Sequence, residues 1–181
     1  FPFKDGESFR KGDIILEIKG KAEGILRIER TILNVLQRLC GVSTLTASYL
    51  AAASPTPVAA TRKTLYGLLD KYAVAIGGGL THRLNLGDAP LFKENHLNLL
   101  ENDLNELLGI LPHLPDDIPF ATIEIETVDQ YLNLLKKLPS NSPWPLFLMF
   151  DNFASEDLKG LLKDTKLNRP DYLYLEASGG I

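Results

Sequence analysis

The sequence predicts an α/β protein, with parallel strands joined by crossover helices behind part of a small N-terminal α/β domain. Two observations carry this. Near Ile28 the apolar spacing changes from alternation to intervals of three and four residues, and from residue 58 onward short β-type runs alternate with helical stretches. That alternation is the order of a parallel sheet covered by helices. Residues 1–30 are therefore expected to belong to the small domain and residues 31–181 to the larger one.

Gly6, Gly12 and Gly20 bracket the alternating run 13–18, which reads as strand between turns. Ile28, Ile32, Val35, Leu36 and Leu39 then lie on one face of an amphipathic helix extending to Leu50. A strand is expected at 58–62, a helix at 71–76 before Gly77-Gly78-Gly79, and a strand at 91–93. One leucine-rich helix is expected over 97–111. Next comes a strand at 121–126, then a helix opened by Thr127-x-x-Gln130, whose two side chains can satisfy each other's free backbone N–H groups. Residues 146–151 form a buried strand, Ser155 caps a helix to Lys163, and 172–176 form the last strand.

The 181 residues are 45% hydrophobic and 23% charged, which supports one substantial core and excludes intrinsic disorder. A net charge of −4 excludes a nucleic-acid binder that works through overall positive charge. The single Cys40 cannot pair within the chain and fits a reducing compartment; it is expected in the core rather than as a nucleophile. With no apolar run of about 18 residues and no basic-then-apolar N-terminus, a cytoplasmic protein without membrane contact is expected. The chain opens at Phe1 and closes on Ser178-Gly179-Gly180-Ile181, as though cut at both ends.

In a (β/α) barrel the chemistry sits at the C-terminal ends of the strands. Here those ends carry Arg62-Lys63, Lys93, Glu126, Asp151 and Ser178-Gly179-Gly180. If the strands belong to one barrel, these residues meet at a mouth that is cationic on one side and acidic on the other. Such a mouth suits a ligand with several anionic groups, sugar hydroxyls or a divalent ion, of which phosphoribosyl diphosphate is one.

Six motifs in order strengthen this: Glu29-Arg30-Thr31-x-x-Asn34, Thr61-Arg62-Lys63-Thr64, Gly77-Gly78-Gly79-Leu80-Thr81-His82-Arg83, Lys93-Glu94-Asn95-His96, Asp151-Asn152-Phe153 and Glu176-Ala177-Ser178-Gly179-Gly180-Ile181. In them the chain resembles the quinolinate phosphoribosyltransferases, a type II phosphoribosyltransferase family. The resemblance implies an incomplete α/β TIM-like barrel, and transfer of phosphoribose to quinolinate with decarboxylation in NAD biosynthesis. It implies Mg²⁺ as cofactor, and a homodimer or dimer-based oligomer. Lys63, Lys93, Glu126 and Asp151 would be catalytic. Arg62, Lys63, His82, Arg83 and Lys93 would bind the quinolinate carboxylates, with Arg30 reaching a partner subunit's site. Glu126 and Asp151 would hold the ribose or, indirectly, its Mg²⁺, and Ser178, Gly179 and Gly180 the 5′-phosphate. The chain departs from the family after Thr64, where Leu65-Tyr66-Gly67-Leu68 replaces Thr-Pro-Gly and a further Arg. The family also has more sequence before Phe1 and further strands after Ile181, so the barrel is expected to be truncated.

Blander readings stand beside these. Arg30 would otherwise pair with Glu29 or Glu23, His96 would bond locally at a helix start, His113 would be solvated, and Gly77–Gly79 would be a flexible turn. Glu124 shares the strand face of Glu126 but lies outside the motif match. A paralogue with another anionic acceptor, of the molybdate-transport-associated type, and a catalytically silent dimerisation module are the competing functions.

Overall fold

β-branched and aromatic runs become strands where a neighbour accepts their backbone hydrogen bonds, and the leucine-spaced stretches between them become helices. The computed structural model describes residues 1–101, 103–165 and 169–180. It forms two units, Phe1–Leu84 and Asn85–Ile181.

In the second unit, strands β1 (Leu91–Phe92), β2 (Ala121–Ile125), β3 (Leu146–Asp151) and β4 (Leu173–Ser178) form one parallel sheet in chain order. Ala121 pairs with Leu146 and Leu146 with Leu173, so alternation sends Ile123, Ile125, Leu148 and Phe150 to a common face. There they join Leu97, Leu107, Tyr131 and Leu134 from the helices in the core. Each such side chain removed from water stabilises the fold by about 1.5–3 kcal/mol before chain entropy is counted. The opposite face carries Thr122, Glu124, Phe147, Met149, Tyr174 and Glu176. Its N-terminal end is aromatic, with Phe147 stacked on Tyr174 at 5.2 Å, and its C-terminal end is acidic.

Helix α5 (Val128–Lys137) starts as expected: Thr127 Oγ1 accepts from the Gln130 N–H at 3.2 Å, and Gln130 Oε1 accepts from the Thr127 N–H at 3.2 Å. Helix α6 (Ser155–Thr165) also lies where expected. The single helix expected over 97–111 is broken. Glu101 takes φ 51°, which no α-helix continues, and Asp103 restarts the chain by accepting the Asn105 N–H at 2.7 Å. The result is α3 (Glu94–Leu99), α4 (Leu104–Ile110) and a 3₁₀ turn at Leu111–His113.

The first unit is dominated by α1 (Ala22–Ala53), a 32-residue helix that runs without a break through Arg30. The short helix α2 (Leu68–Ile76) ends at Gly77-Gly78-Gly79. These glycines are a packing device rather than a loose turn. A β-carbon on Gly77 would lie 2.5 Å from the Ser43 carbonyl oxygen and 2.8 Å from Thr46 Cβ, both on α1, and one on Gly79 would lie 2.8 Å from Thr46 Cγ2. The expected strand at 13–18 is absent, because among the described residues no segment pairs with it; turns such as Asp13 N–H to the Arg10 carbonyl order this stretch instead. The strand expected at 58–62 shrinks for the same reason to one parallel bridge, Ala59 with Leu80. Cys40 is half-buried on α1 rather than in the core.

Candidate active site

The sheet's alternation builds the second unit's site. On β2, Glu124 points to the polar face and is only 8% exposed, and its Oε1 lies 3.7 Å from Lys93 Nζ, just beyond β1. Glu126 follows on the same face one residue past β2, and Asp151 closes β3 in register with Ser178 on β4. Although Glu126 is exposed, partial desolvation raises its carboxyl from the ordinary value, and the charges of Glu94, Glu124 and Asp151 raise it further. Lys93 and a set of carboxylates thus share one edge of this sheet.

The turn beyond β4 is fixed by geometry. Gly179 has φ 77° and Gly180 φ 65°, both left-handed, and the Asn152 N–H donates to the Ser178 carbonyl at 2.8 Å. Asn152, itself at φ 57°, donates from Nδ2 to Asp151 Oδ2 at 2.9 Å. This holds the Asp151 carboxylate beside the Ser-Gly-Gly turn. Ile181, the last residue of that motif, lies outside the described residues. The Lys93 N–H donates to His96 Nδ1 at 3.0 Å, so His96 works locally at the start of α3, as the simpler reading holds.

In the first unit the parallel bridge sets where the cations stand. Ala60 N–H donates to the Leu80 carbonyl and Leu80 N–H to the Val58 carbonyl, both at 2.8 Å. Beyond that bridge one segment continues into Thr61-Arg62-Lys63 and the other into Thr81-His82-Arg83. Arg62 and Lys63 are exposed, whereas His82 and Arg83 are half-buried, with His82 at φ 50°. Burial lowers the Arg83 guanidinium's pKa, and Arg62 lowers it further. Arg30 is exposed on α1, and Glu23 is held by Arg27 at 2.7 Å rather than by Arg30.

Three residues outside the expected site set bear on the site, two that sequence reasoning passed over and one that it weighed and set aside in favour of Glu126. Lys71, 3% exposed, donates from Nζ to the Ala60 carbonyl at 2.8 Å and to the Thr81 carbonyl. Asp70, also 3% exposed, accepts from Arg38 Nε at 3.1 Å and Nη2 at 3.0 Å, and from the Leu65 and Tyr66 N–H groups at 2.8 and 3.1 Å. The third is Glu124. The signal for the first two was an adjacent pair of charges inside the otherwise apolar α2; for Glu124 it was the two-residue strand period shared with Glu126.

The structure thus gathers Lys93, Glu126, Asp151 and Ser178–Gly180 along one edge of the second unit's sheet, and Arg62 with Arg83 beyond the bridge of the first. The family model described as Quinolinate phosphoribosyl transferase, N-terminal domain, matches residues 1–40, and that of the C-terminal domain matches residues 42–181.

The chain belongs to the quinolinate phosphoribosyltransferase family.

Among the chain's relatives in this family, the nicotinate-nucleotide pyrophosphorylase (carboxylating) of Mycobacterium leprae is 32% identical over 182 residues, covering 98% of the chain and 61% of the relative. The quinolinate phosphoribosyltransferase (decarboxylating) 1 of Nicotiana glauca is 32% identical, over 98% of the chain and 53% of the relative. Among solved structures, NadC from Streptococcus pyogenes superposes with a TM-score of 0.80 at 30% identity, covering 99% of this chain and 61% of that one. The nicotinate-nucleotide pyrophosphorylase from Francisella tularensis gives 0.79 at 31% identity, over 99% and 60%. The chain therefore spans about six-tenths or less of the length of these phosphoribosyltransferase relatives. These neighbours bear out the expected barrel-like α/β fold.

Proposed function

We propose that this chain carries the site for transfer of phosphoribose from phosphoribosyl diphosphate to the ring nitrogen of quinolinate, with loss of carbon dioxide, to give nicotinate mononucleotide and diphosphate. The single observation that carries this reading is the match of the two quinolinate phosphoribosyl transferase family models over residues 1–40 and 42–181, with which the cluster in each unit agrees. Arg62 and Arg83 stand beyond the bridge on one side of the sequence, and Glu126, Asp151 and the Ser178–Gly180 turn share the sheet edge on the other. Two arginines suit the two carboxylates of quinolinate, and a carboxylate edge beside left-handed glycines suits a ribose and its 5′-phosphate.

In this reading the bond from C1′ to the diphosphate oxygen breaks as the ring nitrogen bonds C1′. Glu126 and Asp151 stabilise the positive charge that develops on the sugar. The ring, now a pyridinium, then holds the electron pair left when the adjacent carboxylate departs as carbon dioxide, and a proton replaces it. Arg62, Lys63, His82, Arg83 and Lys93 bind and orient the acid, so the protein's part is positioning and electrostatics. Mg²⁺ fits the raised carboxyl of Glu126 beside Asp151, whose mutual repulsion a divalent cation relieves. Among the described residues no group of three or more His, Cys, Asp or Glu is placed to hold a metal, so the ion would be carried mainly by the diphosphate and water. Held there beside Glu126 and Asp151, the ion would supply charge neutralisation for the departing diphosphate.

A homodimer, with Arg30 directed to a partner's site, belongs to the same proposal and is supported by the exposure of Arg30 together with Leu26 and Leu33 on α1. Among the described residues no helix is long and apolar enough to cross a membrane.

The test is mass-spectrometric detection of nicotinate mononucleotide after incubating the chain with quinolinate, phosphoribosyl diphosphate and Mg²⁺. Product from quinolinate and none from nicotinate is the expected result. Equal use of nicotinate would favour the paralogue with a different acceptor, and no product from either acid would sink the proposal for this chain.

A further inference from the structure

We infer that Lys71 is a positioning residue for the acid substrate: its buried ammonium ties together the two carbonyls from which the arginine-bearing segments depart. The inference rests on the quinolinate reading and adds a residue to it. Lys71 belongs to α2, yet its Nζ reaches the Ala60 and Thr81 carbonyls, which stand at the end of the Ala59–Leu80 bridge. The ammonium thus joins the two segments across carbonyls that lie one residue past the bridged pair. Arg62 follows Ala60 by two residues, and His82 and Arg83 follow Thr81 directly. A shift of Nζ would therefore displace both segments together.

The electrostatics point the same way. A buried ammonium is costly to keep charged, and here its neighbours add to the cost, since Arg62 and Arg83 both disfavour the charged form of Lys71. An apolar side chain of similar length would fill the slot without that cost. The charge becomes favourable when a dianion arrives beside these cations, and the two carbonyl bonds fix the ammonium's place before it does.

The experiment compares Lys71→Met with the wild type, measuring steady-state constants for quinolinate and for phosphoribosyl diphosphate separately. The expected result is a rise of about tenfold or more in KM for quinolinate, a change within about twofold for phosphoribosyl diphosphate, and partial recovery in Lys71→Arg. Equal rises for both substrates would mark Lys71 as merely structural and overturn the inference, as would an unchanged quinolinate KM. Wild-type protein that forms no nicotinate mononucleotide would overturn the functional reading and this inference with it, whereas an active wild type with an insensitive Lys71→Met overturns this inference alone. Should circular dichroism show Lys71→Met unfolded, Lys71→Leu removes both carbonyl bonds with a different apolar filling of the slot and is read by the same criteria.

Discussion

Gly179 turns so tightly against Asn152 that a β-carbon on it would sit 2.2 Å from Asn152 Oδ1 and 3.1 Å from the Asn152 nitrogen. Asn152 cannot yield freely, because its N–H is committed to Ser178 and its Nδ2 to Asp151. Gly179→Ala is expected to cost about 2 kcal/mol of stability and to raise KM for phosphoribosyl diphosphate. Gly180, at φ 65° with nothing within 4 Å, provides the control. Gly180→Ala should cost about 1 kcal/mol, from backbone strain alone. Thermal melts of the two variants check the difference, and equal costs would mean that Asn152 moves aside.

Acid stability should report on Asp70. Its carboxyl is lowered from 3.8 to about 2, first by the Arg38 hydrogen bonds and then by the Tyr66 and Leu65 N–H groups, against the opposing effect of burial. A depressed carboxyl adds stability that is complete above its unfolded value and is lost as pH falls through its folded one, since the unfolded chain binds more protons in that window. Stability should therefore drop between about pH 4 and pH 2, and Asp70→Asn should be about 2 kcal/mol less stable at neutral pH with a flatter acid limb. Urea midpoints across this range make the comparison; parallel acid limbs for the two proteins would contradict it.

Glu124→Gln removes the charge that Lys93 Nζ faces at 3.7 Å and one of the charges that raise Glu126. The Glu126 carboxyl should then titrate lower, and kcat/KM for quinolinate should fall by about tenfold as Lys93 loses its orientation. A pH–rate profile with steady-state kinetics reads both, and an unchanged rate would leave Glu124 a bystander.

Gly77→Ala should destabilise by about 2–3 kcal/mol, because its β-carbon meets the Ser43 carbonyl at 2.5 Å and Thr46 Cβ at 2.8 Å, both part of a long helix that cannot shift locally. Gly24, inside the same helix with open space around it, is the contrast. Gly24→Ala should stabilise by about 0.5–1 kcal/mol. Calorimetry of the pair checks the sign of each change.

Much of the second unit was legible because its strands lie side by side in chain order. Each apolar run finds its partner one crossover away, so the two-residue period of 121–126 and 146–151 told which side chains share a face. The first unit was less legible because pairing there depends on partners that periodicity does not name. Residues 13–18 alternate like a strand and pair with nothing among the described residues, and 58–62 keeps one bridge. The leucines over 97–111 gave the correct helical period, but period alone does not reveal a backbone reversal such as Glu101 at φ 51°. At the site, residue type and strand position picked out Lys93, Glu126 and Asp151 as candidates. Lys71 and Asp70 escaped notice because their partners, the Ala60 and Thr81 carbonyls and the distant Arg38 guanidinium, are not named by the charge pair that marks them in α2.

The N-terminal family match stops at residue 40 and the C-terminal one resumes at residue 42, so the seam falls on Gly41, inside α1. Ser43 and Thr46, the surface against which Gly77 and Gly79 close, lie just after that seam. An insertion of one residue at Gly41 would turn everything beyond it by about 100° about the helix axis. Exchange of N-terminal segments between relatives is therefore governed by helical phase: the packing of Ser43 and Thr46 on the glycines travels as one piece, whereas a contact that crosses the seam, such as Arg38 with Asp70, survives only when the graft's length restores the azimuth of its residues.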